Sequence, residues 1–377
     1  MTFSEAESLP AMRVADRLPA ARARLADAGC DALLVTKLEN IRYLTGFTGS
    51  AAMLLVTNKD ALLSTDGRYA EQAPQQLADT GVAASVEIGR PDAQFDALQR
   101  TAKGIRRLGL EARSVTWNLQ QRCAEKFPAE LVPTVGVIEQ LRVVKDDGEL
   151  ARLGRACEIA DVALAQCKQR LAEEISENDF AAELEFEMRR RGASGPSFDT
   201  IVASGPNSAM PHARPTNRVV HEGDLVVIDF GATFDGYHSD MTRTLYIGDP
   251  GPDTRDLIDA VFVAQRAGLR AVKVGVSAGS IDQACRDSLT EAGYGELFLH
   301  STGHGVGLEI HEAPAVSPGS ADNLAENTVI AVEPGVYVAG KGGVRIEDSV
   351  VVTGQGGRIL TKSTKDYTIW SAKDVTV

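Results

Sequence analysis

Asp229-Phe-Gly-Ala-Thr-Phe-Asp-Gly-Tyr-His-Ser-Asp240 is the stretch on which the reading of this chain turns. It follows an apolar run, Leu225-Val226-Val227-Ile228, turns at Asp235-Gly236 and returns through Tyr237 to Thr244. Asp-Gly between two strand-like runs is a strong hairpin signal, because a type I′ turn needs positive φ at both central residues. With that turn, Asp229 stands opposite Thr242 and Asp240 opposite Gly231. Asp229 and Asp240 then become diagonal neighbours on one face, about 7 Å apart at the backbone. Two ionised carboxylates that close repel unless a cation lies between them. The register therefore predicts a metal site.

Other segments place charged or imidazole groups in similar settings. Val329-Ile330-Ala331-Val332-Glu333 ends an apolar strand on a carboxylate, which is expensive to bury unpaired. Val344-Arg345-Ile346-Glu347-Asp348 follows a glycine-rich turn at 339–343. A loop with an odd number of residues sets Glu333 opposite Glu347. All six histidines lie beyond residue 211, and His300, His304 and His311 fall together around Gly303, Gly305 and Gly307. These glycines permit close backbone approach. His212 sits in a loop after Gly205-Pro206-Asn207, His221 in a polar turn, and His238 in the hairpin with no assigned task. Four carboxylates with one imidazole and no sulfur suit two divalent cations such as Mn²⁺, Co²⁺ or Zn²⁺, about 3.5–4 Å apart.

The chain has 377 residues, enough for two domains, and its 44% hydrophobic and 24% charged content is that of a globular protein. A net charge of −13 argues against nucleic acid or an anionic membrane as partner. No apolar run approaches the roughly 18 residues of a membrane span. The stretch from Met1 to Leu18, with Glu5, Glu7, Arg13, Asp16 and Arg17, lacks an apolar signal core, so the expected location is cytoplasmic. Five scattered cysteines without a Cys-x-x-Cys pair read as reduced structural thiols.

A helix over 9–29, strands at 32–35, 51–56, 61–63, 83–88 and 108–110, and helices near 95–102 and 119–127 predict an α/β domain over 1–143. A second domain, 144–377, opens at Asp146, whose partner Glu149 completes a capping box. A striped helix from Leu150 to Leu171 and another over 177–191 precede the hairpin. Helices at 254–273 and 279–292 precede the later strands. Two helices then strands, twice over, is a weak internal duplication of element order.

In order and context, Asp229, Asp240, His304, Glu333 and Glu347 match the Asp-Asp-His-Glu-Glu metal set of the pita-bread metallopeptidases. That family includes methionyl aminopeptidases, Xaa-Pro aminopeptidases and prolidases. Thr302-Gly303-His304-Gly305-Val306-Gly307 and Glu333-Pro334-Gly335-Val336-Tyr337 resemble its proline-specific branch. Tyr43-Leu44-Thr45-Gly46-Phe47-Thr48-Gly49-Ser50 resembles the creatinase-type N-terminal domain of that branch. The resemblance implies an α/β (α+β) chain: a creatinase-like N-terminal domain, then a pita-bread catalytic domain with a pseudo-duplicated curved sheet backed by helices.

The resemblance further implies two divalent metal ions, Mn²⁺ first and Co²⁺ or Zn²⁺ as alternatives, held by Asp229, Asp240, His304, Glu333 and Glu347. It makes Glu333 the group that moves a proton from water toward the leaving proline nitrogen. His212 and His311 would stabilise the tetrahedral intermediate and hold the substrate backbone. His300 would line the proline-side pocket, and Arg345, grouped with the substrate residues, would orient a carboxylate such as Asp229. The implied substrate is a peptide with proline at its second position, and the implied assembly a homodimer. Xaa-Pro aminopeptidase is the expected activity and Xaa-Pro dipeptidase (prolidase) the alternative. Filled ligand positions argue against a metal-free creatinase type. Together with His212 and His311, they also argue against a non-catalytic peptide-binding scaffold.

Overall fold

The computed structural model describes residues 9–369. Glu5, Glu7 and the outer ends of both expected domains lie outside the described residues. One compact unit spans Ala11–Arg142; the other runs from Val143 onward and takes in Pro10.

The first unit carries a six-stranded mixed sheet. Its strand order is Ser85–Ile88, Ala61–Thr65, Ala52–Thr57, Ala32–Val35, Arg107–Glu111, Glu130–Thr134. Strand Ala32–Val35 is buried along its length and its neighbour Arg107–Glu111 from Leu108 onward, as their apolar runs require. Leu34, Leu55, Phe95, Leu98, Leu108 and Cys123 pack one of its cores, against helices Pro91–Thr101 and Trp117–Lys126. The strand Glu130–Thr134 was not expected from the pattern because Pro133 interrupts it; proline is tolerated there because the strand is at the sheet edge. The helix expected over 9–29 is confined to a 3₁₀ turn at Val14–Asp16 and an α-helix at Arg17–Ala23. Beyond it the chain tightens into turns, with Arg24 N bonded to Ala21 O at 3.1 Å and Leu25 N to Arg22 O at 3.2 Å.

The second unit repeats one arrangement. Helices Asp147–Cys167 and Glu177–Arg190 bury Ile159, Leu164, Phe180 and Leu184 against Val202, Val226, Ile228 and Met241. Helices Gly251–Ala271 and Ala278–Glu291 bury Val261, Ile281 and Leu289 against Ile330, Val332 and Val350. The long helix starts at the expected capping box: Asp146 accepts from Glu149 N at 2.9 Å and Glu149 accepts from Asp146 N at 3.0 Å. One sheet is ordered Thr368–Ile369, Met241–Ile247, Leu225–Phe230, Ile201–Ser204. The other is ordered Glu312–Val316, Gly303–Gly305, Val329–Val332, Asp348–Thr353, Gly356–Ile359. The chain is thus a mixed α/β protein, and all five cysteines are free and buried. Among the described residues, no helix is long and apolar enough to cross a membrane.

Both hairpins have the expected register. Asp235 (φ 44°) and Gly236 (φ 73°) form the turn, and Asp229 pairs with Thr242. Val332 pairs with Asp348 and Gly335 with Arg345, so Glu333 and Glu347 continue the same ladder opposite one another. Each ladder, however, divides between two sheets. The first is interrupted between Phe230 and Ala232 on one side and between His238 and Met241 on the other; its tip joins Gly195–Pro196 in a three-stranded sheet. The second is interrupted at 333–334 and 346–347, beyond which Gly335–Val338 and Gly342–Arg345 form a separate ribbon. Gly231 is demanded at the first interruption, since a Cβ there would lie 1.8 Å from Ser239 O. At the second, Glu333 N bonds Thr302 O at 2.7 Å and Glu347 N bonds Thr242 O at 3.1 Å. The latter bond ties the two hairpins together.

Candidate active site

Asp240, Glu333 and Glu347 all sit at these interruptions, and Asp229 lies on the strand that leads into one of them. His304 is the middle residue of strand Gly303–Gly305. Its Nε2 is 3.4 Å from Asp240 Oδ2 and 3.6 Å from Glu333 Oε1. Ligand atoms of Asp240, His304 and Glu347 all lie within 4.8 Å of one another. The His304 Nδ1 is 3.0 Å from the Gly305 carbonyl, which can only accept, so Nδ1 carries the proton and Nε2 presents its lone pair to the carboxylates. Burial pushes the His304 pKa down to about 4, which keeps the ring neutral at ordinary pH.

The carboxylates are shifted the other way. Burial, then repulsion from Glu347, Asp229 and Glu333, raises Asp240 well above the usual carboxylate range. Glu347 is raised likewise by burial and by Glu333 and Asp229, against a 2.8 Å hydrogen bond from Thr242 Oγ1. Burial lifts Glu333 to about 8, opposed by Arg345 and assisted by Asp229. Asp229 Oδ1 and Glu347 Oε1 are buried and have no hydrogen-bond partner. Buried oxygens left unpaired in this number are costly. They are oxygen donors grouped around one neutral imidazole, which is the chemistry of a divalent-cation cradle, and Asp240, His304 and Glu347 fit such an ion.

Arg345 stands behind the carboxylates, 3% exposed. Its Nη2 donates to Asp229 Oδ2 at 2.7 Å, its Nε to Thr242 Oγ1 at 3.1 Å, and its Nη1 to Tyr337 OH at 2.6 Å and Pro211 O at 3.2 Å. Asp229, Tyr337 and Glu333 hold its pKa above the ordinary guanidinium value despite the opposing effect of burial. His300 Nδ1 faces the Ser301 carbonyl at 2.8 Å, so its Nε2 accepts from Tyr337 OH at 2.9 Å. Burial raises that phenol to about 12 and lowers His300 to about 4.

A cavity of about 400 Å³ opens onto this group. Asp229, Asp240, His304 and Glu333 line it, together with His212, His311, Phe198, Asp199, Ile201, Ala213, Arg214 and Ile310. The His304 and His311 rings meet edge to face at 4.3 Å. His300 and Arg345, expected to contact substrate, are not among the lining residues. Both nitrogens of His300 are engaged by protein, and Arg345 directs four N–H groups at protein acceptors. Their contacts order the site from behind.

Three contributors lay outside the sequence reading. Thr242 bonds both Glu347 and Arg345; its signal is period two, since it follows Asp240 on the same strand face. Tyr337 joins Arg345 to His300. Glu177 is fully buried and accepts from Ser204 N and Oγ at 2.7 Å each, from Thr216 Oγ1 at 2.7 Å and Thr216 N at 3.0 Å, and from Asn207 Nδ2 at 3.1 Å. It clamps both ends of the loop that carries His212, yet in sequence it is an ordinary acid in the first turn of a helix.

Residues 151–354 match the model of metallopeptidase family M24, and residues 17–144 match the creatinase/prolidase N-terminal domain. The chain is 41% identical to an uncharacterised peptidase, YqhT, of Bacillus subtilis, over 90% of this chain and 96% of the relative. A solved Xaa-Pro dipeptidase from Bacillus anthracis superposes with a TM-score of 0.90 at 40% identity, covering 95% of this chain and 99% of its own. An X-Pro aminopeptidase from Thermotoga maritima does so with a TM-score of 0.83 at 38% identity, covering 92% and 99%. Fold, site and likeness agree: the chain is a peptidase of metallopeptidase family M24, with a creatinase/prolidase N-terminal domain.

Proposed function

We propose that this chain hydrolyses Xaa-Pro bonds at peptide N-termini, as an Xaa-Pro aminopeptidase. In this reading residues 1–143 form the creatinase-like domain and 144–377 the pita-bread catalytic domain. Asp229, Asp240, His304, Glu333 and Glu347 hold two divalent ions, Mn²⁺ in preference to Co²⁺ or Zn²⁺. The observation that carries the reading is that His212 and His311 line the same cavity as Asp229, Asp240, His304 and Glu333. When bound, the cations supply the Lewis acidity that activates water and polarises the scissile carbonyl.

The chain's own groups do the rest. The Glu333 carboxylate takes a proton from the attacking water and delivers it to the leaving proline nitrogen. His212 and His311 hydrogen-bond the oxygen on which charge develops and hold the substrate backbone. Arg345 holds Asp229 in place through its 2.7 Å bond. Prolidase activity, on Xaa-Pro alone, is the second reading, favoured by the dipeptidase from Bacillus anthracis. A homodimer, implied by the resemblance, and a cytoplasmic location belong to the same proposal.

Chromatographic assay of Xaa-Pro and Xaa-Pro-Yaa peptides, with and without chelation, is the test. Glu333→Ala is expected to lose at least about 10²-fold in kcat while keeping its circular dichroism. Persistent activity in that variant would overturn the mechanism.

A further inference from the structure

We propose that Arg214 selects substrate by binding a peptide carboxylate, with Asp199 holding the guanidinium until substrate arrives; this rests on the Xaa-Pro peptidase reading. The cavity is graded in charge. Its floor holds Asp229, Asp240 and Glu333, and its exposed rim holds Asp199, His212, Arg214 and His311. Among the residues lining it, Arg214 is the one permanently cationic side chain. Arg345 behind the floor is committed to Asp229, Thr242, Tyr337 and Pro211. Cleavage of the first bond of a peptide seats its N-terminal residue at the floor, beside Asp240, His304 and Glu333, so the C-terminal side of a bound peptide points to the rim. An anionic group there has Arg214 as its guanidinium partner.

Arg214 is both placed and available. Its loop is clamped by Glu177 through Ser204, Asn207 and Thr216, and Pro211 O is held by Arg345. Pro215 follows it and stiffens the backbone. The Arg214 side chain pairs with Asp199, and the two side chains are 69% and 77% exposed. Exposed pairs of this kind contribute only about 0–1 kcal/mol, so exchanging one carboxylate for another is nearly free. A guanidinium grips a carboxylate through two parallel hydrogen bonds. The carboxylate is either the C-terminus of an Xaa-Pro dipeptide or an acidic side chain at the third position of a longer peptide.

The test measures KM and kcat on matched pairs: Xaa-Pro against its C-terminal amide, and Xaa-Pro-Asp-amide against Xaa-Pro-Ala-amide. The unaltered Mn²⁺-loaded protein is compared with Arg214→Gln, Arg214→Lys and Asp199→Asn. In one pair, the KM preference for the carboxylate-bearing member is expected to fall about tenfold in Arg214→Gln. Arg214→Lys should restore part of that preference, and Asp199→Asn should increase it. The responding pair identifies which carboxylate is bound. KM preferences that stay constant across all variants in both pairs would overturn the role of Arg214 while leaving the peptidase reading intact. Failure of the unaltered protein to cleave any proline peptide would overturn both.

Discussion

His300 shows how a single side chain in this site is set by its surroundings. The Ser301 carbonyl fixes its tautomer, Tyr337 donates to its other nitrogen, and burial lowers its pKa to about 4. The unfolded chain, with an ordinary histidine near 6.5, therefore binds a proton that the folded protein refuses between about 4 and 6.5. The sign is that of a depressed value: the contribution to stability is present above 6.5 and is lost as pH falls toward 4. Comparison of unfolding free energies at pH 7.5 and pH 5 is expected to show a loss on acidification that is smaller in His300→Gln. The full contribution is on the order of 3 kcal/mol. Equal pH dependence in the two proteins would show that His300 does not titrate between the folded and unfolded states as its burial requires.

The interrupted hairpin is the unit that builds the site. Asp235-Gly236 made both its register and the pairing of Asp229 with Thr242 legible in the sequence, because turn chemistry and the two-residue period determine them. The division of each ladder between two sheets was not legible. It depends on Gly231 lying against Ser239 and on Glu347 N reaching Thr242 O, contacts between groups that no local pattern relates. Gly231→Ala is expected to open the hairpin, lower stability by about 1–3 kcal/mol and weaken Mn²⁺ binding, measured by urea unfolding and calorimetry. The loop with His212 and Arg214 depends in the same way on Glu177, whose burial was hidden by its place in a capped first turn. Glu177→Ala leaves several buried donors unpaired and is expected to lower stability by about 2–4 kcal/mol. Unfolding curves that superpose on those of the unaltered protein would refute this.

Across the whole molecule, the duplicated order of two helices and then strands brings two hairpins to one centre, each contributing two carboxylates. The order was readable from hydrophobic periodicity and caps, and the meeting of Asp240 and Glu347 with His304 from strand-end acids in two hairpins. The bond of Arg345 to Asp229 was readable from its place two residues before Glu347, whereas its further bonds to Thr242, Tyr337 and Pro211, and that of His300 to Tyr337, join groups that sequence spacing does not relate. A fold that gathers buried carboxylates is stabilised by whatever cation neutralises them. Chelation is expected to lower the melting temperature by several degrees, since a ligand at about 100 times its Kd contributes about 2.7 kcal/mol. Differential scanning fluorimetry with and without Mn²⁺ measures this, and identical melting curves would contradict it.

The most direct measurement is a Mn²⁺ titration of the chelated protein, following bound metal and the rate of Xaa-Pro-Yaa cleavage in the same samples. Two ions bound per chain, with cleavage rising from zero as they bind, is the expected result. Full cleavage in excess chelator, or two bound ions with no cleavage of any Xaa-Pro peptide, would contradict it.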